Sequence, residues 1–194
     1  MRGHEENLLE VLRKMKNNNT VKSIVVLVTI CLVIGAAMAA INMLTAPKIK
    51  AAQEQKEADA LSTVLPENSG FEKLENIEGL PSGVVAVYRD KDGEGIAMLL
   101  SAAGYDSSNP ISIAVGFSSD GKIEKCHVIS CSGETSGIGT KVKNESFISQ
   151  FESKSSVDGV DTISGATISS SAFLDAVKDA FDVYARVAES EAAK

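Results

Sequence analysis

One uninterrupted apolar stretch near the N-terminus limits the folds that are open to this 194-residue chain. Residues 23–47 include no charged residue, and residues 24–44 are mainly Ile, Val, Leu, Ala and Met. At about 1.5 Å per residue, a helix of this length crosses a hydrocarbon layer of about 30 Å. The sequence therefore predicts a single transmembrane helix over residues 23–46, which attaches the rest of the chain to a lipid bilayer.

Basic residues on either side of this stretch indicate its orientation. Arg2, Arg13, Lys14, Lys16 and Lys22 precede it, and three lysines follow within ten residues of its end. This bias predicts a cytoplasmic N-terminal segment over residues 1–22 in the cell inner (cytoplasmic) membrane, with the folded part on the extracytoplasmic side. A cleaved signal peptide is the alternative, since residues 37–39 have the small-x-small form of a cleavage site. The long segment of mixed charge before the stretch argues against cleavage.

The sequence after the apolar stretch alternates between helical and strand-like patterns. Residues 47–66 predict a juxtamembrane helix that continues out of the membrane with Ala52, Ala60, Leu61 and Val64 as its apolar positions, and a kink at Pro47 is left open. Four predicted strands follow and form two hairpins, one turning at residues 90–93 and one at residues 119–122. The strands cover residues 84–89, 95–102, 111–117 and 123–130.

Two helical patterns complete the chain. Phe147, Ile148 and Phe151 have helical spacing within residues 144–153, where Asn144 or Ser146 is the candidate cap. A longer apolar stripe over residues 168–188 predicts a helix that packs on the sheet. The predicted fold class is α+β, with a mainly antiparallel sheet packed by helices in a domain over residues 67–194.

The charge distribution excludes one class of partner. Residues 1–46 carry five Lys or Arg and three Glu, whereas residues 47–194 carry 14 Lys or Arg and 23 Asp or Glu. A domain this acidic, without a basic cluster, is poorly suited to hold a phosphate backbone. We therefore expect no nucleic-acid partner.

Two short motifs are candidates for a binding site. Residues 161–169 include Ser164-Gly165-Ala166-Thr167 and lie at the start of the last predicted helix. Their hydroxyls could simply cap that helix, but free N–H groups and the helix dipole also favour an anion such as a phosphate there. Residues 134–140 place Gly137 and Gly139 one residue apart after the last strand, which is either an ordinary turn or a backbone surface that a flat ligand can approach.

Together, these motifs resemble the FMN-binding domain shared by the C subunit of sodium-pumping NADH:quinone oxidoreductase and the G subunit of Rnf complexes. The resemblance spans about residues 80–185 and implies a phosphoester bond between FMN and Thr167. Ser136 and Ile138 stand where the family usually has Pro and Leu, so the loop is expected to be less stiff. The implied cofactor-binding residues are Thr167, Ser164, Gly165, Ala166, Glu134, Thr135, Gly137, Ile138, Gly139, Tyr105 and Asp161.

The shorter soluble part is more similar to an Rnf G subunit. That resemblance implies an electron relay within a complex that couples ferredoxin:NAD electron flow to ion translocation, with other membrane and iron–sulfur subunits as partners. A separate flavin transferase is expected, because a threonine hydroxyl needs a neighbouring base or metal to react. The chain has only two histidines that could act as that base, His4 and His127. The alternatives are a membrane-tethered regulatory or sensory FMN module, and an anchored binding domain without cofactor.

No second reaction centre is predicted. Cys126, His127 and Cys131 match no common zinc spacing, so His127 is interpreted as a strand residue and no metal site or catalytic residue is expected. Cys126 and Cys131 could form a disulfide, and the sequence leaves that open. Asp161 could be recognised by the transferase or could cap its turn.

Overall fold

A computed structural model describes residues 19–66, 68–75, 77, 79–91 and 95–192. Residues 1–18 of the predicted cytoplasmic segment, including His4, lie outside the described residues, as do Asp92 and Gly93 of the first predicted turn. The chain divides into two compact units between Ala52 and Gln53.

The apolar stretch lies within one long helix, α1, which spans Asn19–Val64 and has Pro47 inside it. Its large apolar side chains are exposed along the stretch, from 50% at Ile30 to 77% at Met43. Within the described residues, this is the one helix that is long and apolar enough to cross a membrane. Exposed apolar surface of this extent is unfavourable in water, so the helix is suited to a bilayer.

The sheet has five antiparallel strands in the order β1-β2-β3-β4-β5. All four predicted strands are present, and β4 and β5 have the predicted bounds. A fifth strand, β1, was not predicted because its three residues show no alternation of buried and exposed positions. The strands span Phe71–Lys73, Val84–Asp90, Ile96–Ala102, Ile111–Phe117 and Ile123–Ser130.

Helices cover both faces of the sheet. On one face, Ala60, Leu61 and Val64 at the end of α1 pack on small residues such as Ala97 and Ala114, which are fully buried. Ala52 is exposed, unlike the other apolar positions predicted for this segment. The opposite face is covered by the last helix. The fold is therefore α+β with a mainly antiparallel sheet, as predicted.

Short helical segments connect the sheet to that last helix. A 3-10 turn at Gly139–Lys143 leads into α2, Glu145–Ile148, and a second 3-10 turn, Ser149–Phe151. Asn144, one of the two predicted cap residues, stands at the N-cap of α2. Its side chain makes no capping bond, and its carbonyl oxygen accepts the N–H groups of Phe147 and Ile148.

The last helix, α3, spans Thr167–Ala192. Phe173, two turns into it, is fully buried and contacts Phe147 and Phe151 with ring centroids 5.3 and 5.2 Å away. This aromatic cluster fixes the start of α3 against the connecting segments, and the start of α3 carries the Thr167 motif.

Candidate functional site

Thr167 is the first residue of α3 and follows a tight turn over residues 163–166. The N–H of Ala166 donates to the carbonyl oxygen of Ile163 at 2.9 Å. Gly165 occupies the third position of that turn with φ +80°, a left-handed conformation that favours glycine. The backbone thus presents Thr167, which is exposed, at the mouth of the turn. We call residues 163–170 the threonine turn.

Ser170 holds the threonine turn from the inside. Its side chain is fully buried, donates to the carbonyl oxygen of Ala166 at 2.8 Å and accepts the N–H of Ile163 at 3.2 Å. The sequence reasoning missed this residue. The signal that could have found it is the run of three serines in the first turns of α3, because serine inside a helix is weakly favoured unless its hydroxyl bonds to the backbone.

The hydroxyls of Ser164 and Thr167 do not cap α3. Neither makes a hydrogen bond to any described residue, so the capping alternative does not apply in this structure. Within the same described part of the chain, the N–H groups of Thr167, Ile168 and Ser169 have no acceptor. An exposed hydroxyl therefore stands beside three unpaired donors at the positive end of a 26-residue helix.

The second motif, residues 134–140, is the glycine loop. It closes on itself through the N–H of Ile138, which donates to the carbonyl oxygen of Thr135 at 3.1 Å, and the N–H of Gly137, which donates to Thr140 Oγ1 at 2.9 Å. Gly137 has φ +74° and open space where a Cβ would stand. Serine at position 136 does not fix a backbone dihedral as proline would. The hydrogen bonds within the loop restrict its backbone instead.

Glu134 points inward rather than toward solvent. Its side chain is buried, Oε1 accepts the N–H of Tyr105 at 2.9 Å, and Oε2 accepts the hydroxyl of Ser169. A Cβ on Gly139 would lie 2.5 Å from Glu134 Oε2 and 2.6 Å from Ser169 Oγ. Glycine is therefore needed at position 139 because any larger side chain would clash with the Glu134 carboxylate. From the sequence, the reason considered for this glycine was the close approach of a flat ligand.

The two motifs and the segment at Tyr105 meet at one open cleft of about 400 Å³. Seven of the expected residues line it, together with Ile168 and Ser169, which were not expected. Glu134, Gly137, Ser164 and Asp161 are not part of the lining. The lining residues are Tyr105, Thr135, Ile138, Gly139, Gly165, Ala166, Thr167, Ile168 and Ser169.

Comparison with known proteins accounts for both parts of the chain. Residues 104–182 match the FMN-binding domain, and residues 15–64 match the RnfG N-terminal region. The G subunit of the ion-translocating oxidoreductase complex of Methanosarcina acetivorans is 30% identical over 173 residues, which cover 83% of this chain and 92% of the relative. The chain belongs to the Rnf G-subunit family. The G subunit of the proton-translocating ferredoxin:NAD(+) oxidoreductase complex of Clostridium ljungdahlii is 26% identical over 181 residues, with coverage of 87% and 94%.

The cleft of this Rnf G-family chain has the chemistry that FMN requires. Its volume lies within the roughly 300–1,000 Å³ of small-molecule sites. The unpaired N–H groups at the start of α3 suit a phosphate, and Tyr105, Ile138 and Ile168 expose apolar surface that suits a flat ring system. The residues present therefore fit the flavin that the domain family is named for.

Tyr105 and Asp161 differ in how they are placed. The side chain of Tyr105 is 69% exposed at the cleft, and its position depends on the backbone bond to Glu134. Asp161 is exposed, and the side-chain amide of Gln150 holds its backbone: Oε1 accepts its N–H at 2.8 Å and Nε2 donates to its carbonyl oxygen at 3.4 Å. Its carboxylate makes no hydrogen bond to a described residue, so it does not cap the turn.

In the part of the chain that the structure describes, Cys126, Cys131 and His127 form neither a disulfide nor a cluster of metal ligands. Cys126 and Cys131 are free thiols, and burial raises the pKa of each. His127 lies in β5 opposite Ala114, as a strand residue. No cluster of potential metal ligands occurs among the described residues. Cys126 packs in the core as a small apolar side chain.

Proposed function

We propose that this chain is a membrane-anchored flavoprotein subunit that carries FMN joined through its phosphate to Thr167 Oγ1 and relays electrons. Its partners are the other membrane and iron–sulfur subunits of an Rnf-type complex, in which ferredoxin:NAD electron flow is coupled to ion translocation. When bound, FMN supplies one- and two-electron redox chemistry, while the protein supplies its position and its surroundings.

The observation that carries this proposal is the free hydroxyl of Thr167. It is exposed, makes no hydrogen bond to a described residue, and stands at the start of α3 among unpaired N–H groups. A threonine kept as a helix cap would instead accept one of those N–H groups. Membership of the Rnf G-subunit family supports FMN as the ligand of this site and electron transfer as its role.

Attachment requires a separate enzyme. The Thr167 oxygen displaces AMP from FAD, so that the oxygen–phosphorus bond to FMN forms, the pyrophosphate bond breaks and the hydroxyl proton passes to a base. The described cleft lining contains no Asp, Glu, His, Lys or Arg side chain that could accept that proton. A flavin transferase therefore supplies the base, and the exposed carboxylate of Asp161, fixed by Gln150, is available for its recognition.

The proposed topology follows the charges that flank α1. Residues 1–22 are cytoplasmic, residues 23–46 cross the cytoplasmic membrane, residues 47–66 continue as the juxtamembrane helix, and residues 67–194 form the FMN domain on the extracytoplasmic side. A cysteine-labelling experiment tests this placement: on intact cells, an impermeant maleimide should label a cysteine introduced at exposed Ser155 of a cysteine-free variant. Labelling of that cysteine only after the cells are lysed would show that the domain lies on the cytoplasmic side.

The attachment site is tested by the intact mass and in-gel flavin fluorescence of the full-length chain, co-expressed with a flavin transferase. The wild type should gain the mass of FMN less water, and Thr167→Val should lose both the mass and the fluorescent band. Thr162→Val is the matched control, since Thr162 is also an exposed threonine in the same motif, and it should retain the band. A fluorescent Thr167→Val chain would refute the site.

The role is tested by co-purification from the native host. An electron relay should be isolated together with several integral membrane subunits and iron–sulfur proteins, and its flavin should be reduced when reduced ferredoxin is added to the isolated assembly. A flavinylated chain that is isolated without such subunits would favour the regulatory or sensory alternative.

A further inference from the structure

Three separate segments of the cleft meet at one buried carboxylate, that of Glu134. Its Oε1 accepts the N–H of Tyr105, and its Oε2 accepts the hydroxyl of Ser169 in the first turn of α3. Glu134 itself begins the glycine loop, and Gly139 at the other end of that loop rests against the same Oε2. Tyr105, Ser169 and the glycine loop therefore all contact one side chain.

Burying the Glu134 carboxylate is unfavourable for the stability of the fold, so its presence calls for another role. Glu134 is 6% exposed, Ser169 is 3% exposed, and no ion pair of Glu134 occurs among the described residues. A carboxylate desolvated in this way is stabilised only by its hydrogen bonds, and an apolar side chain is often no worse for stability at such a position. A positioning role explains a carboxylate here, because its two oxygens bond the Tyr105 N–H and the Ser169 hydroxyl at the same time, which an apolar side chain cannot do.

We infer that Glu134 is the positioning residue of the flavin cleft: it sets the location of Tyr105 and of the glycine loop relative to Thr167, and it does not contact the flavin itself. The inference rests on the proposed attachment at Thr167. It differs from the expectation that Glu134 is a cofactor-binding residue, because the cleft is lined by the residues that Glu134 contacts and not by Glu134.

The chain contains a matched control for this inference. Asp90 is a second buried carboxylate, 5% exposed, which accepts a backbone N–H and a hydroxyl, both from Ser69, at 3.0 and 3.3 Å. It ends β2 and is not part of the cleft lining. Asp90→Ala thus removes the same kind of group from elsewhere in the same domain.

The experiment compares Glu134→Ala, Glu134→Gln and Asp90→Ala in the full-length chain with a flavin transferase. It measures the initial rate of flavin attachment, the visible circular dichroism of the attached flavin, and the melting temperature. Glu134→Ala should slow attachment about ten-fold, because losing these bonds misplaces Tyr105 and the glycine loop relative to Thr167, and it should weaken the visible signal of the fixed ring. Glu134→Gln should stay within about two-fold of the wild type, since its amide still accepts from Tyr105 and can donate to Ser169 Oγ.

Asp90→Ala should lower the melting temperature while leaving attachment and the visible signal unchanged. Equal flavin readouts for Glu134→Ala and Asp90→Ala would overturn the inference. If Glu134→Ala does not fold, Ser169→Ala decides, because it removes one of the two bonds and should still weaken the visible signal; an unchanged signal would overturn the inference. Flavin that is retained in Thr167→Val would instead overturn the proposed function, and this inference with it.

Discussion

The threonine turn and the glycine loop line the same cleft, but they are held in place by different forces. In the threonine turn, Ser170 is fully buried and bonds three backbone groups, and Phe173 anchors the same helix in the aromatic cluster. Much of its position is therefore set by the hydrophobic core.

The glycine loop has little buried apolar surface of its own. Residues 135–138 are exposed, and the loop is located by Glu134, by the close contact at Gly139 and by the Thr140 hydroxyl. Such a segment opens more readily than one tied to the core. The comparison teaches that Thr167, the proposed flavin acceptor, belongs to a segment tied to the core, whereas the loop facing it is held by polar contacts. Substitutions in the two segments should therefore affect stability and flavin chemistry to different extents.

The largest effect on stability is expected at the anchor of the threonine turn. Phe173→Ala should lower the free energy of unfolding by about 3–5 kcal/mol, because it leaves a cavity between Phe147 and Phe151. Chemical unfolding of the full-length chain in detergent measures this change. Ile168→Ala, on the same helix but 60% exposed, should change it by less than about 0.5 kcal/mol. Equal losses in the two variants would show that the core does not anchor the turn.

Ser170→Ala tests the polar part of the same anchor. It removes the hydroxyl that bonds the carbonyl oxygens of Ala166 and Thr167 and leaves the N–H of Ile163 without its acceptor, so a loss of about 3 kcal/mol is expected. Ser171→Ala is the neighbouring control, because Ser171 is half-buried and makes no side-chain hydrogen bond to a described residue. The free energy of unfolding of the two variants should differ by most of that amount. A difference below about 1 kcal/mol would contradict the assigned role of Ser170.

Much of the sheet could be predicted from the sequence because its strands carry local signals. The turn at residues 119–122 includes Gly121 with φ +77°, as an Asp-Gly turn requires, and the strands on either side have the predicted bounds. Strand β1 carries no such signal: only Phe71 of its three residues is even half-buried. Its existence depends on pairing with β2, which is a tertiary effect.

The site was predicted as a set of residues but not as a geometry. The sequence identified seven of the nine residues that line the cleft, yet it could not show that Glu134 turns inward, because a loop sequence has no periodicity from which side-chain direction can be inferred. Ile168 follows Thr167 directly and was counted only as part of the helix, although its exposed side chain lines the cleft. Its neighbour Ser169 was missed as a lining residue for the same reason.

A pair of glycine substitutions separates the two ways in which the glycine loop is constrained. Gly139→Ala should cost about 2 kcal/mol, because its methyl group would displace the Glu134 carboxylate and the Ser169 hydroxyl. Gly137→Ala should cost about 1 kcal/mol, which is backbone strain alone, since its φ is +74° and nothing lies within 4 Å of the new methyl group. Only Gly139→Ala should also slow flavin attachment at Thr167. Equal attachment rates in the two variants would mean that Glu134 tolerates displacement.

The smallest effect is expected in the third segment of the cleft, the turn that follows Tyr105. Hydrogen bonds from the Asn109 side chain and the Ser108 N–H lower the pKa of Asp106 below its ordinary value of 3.8. Because the pKa in the folded state is the lower one, the turn is fully stabilised above pH 3.8 and loses that contribution as the pH falls through the folded value. Amide chemical shifts of Tyr105 and Ser108, followed during acidification, should move with a midpoint below 3.8, and Asp106→Asn should abolish that transition. A midpoint at or above 3.8 would show that these bonds do not hold the turn.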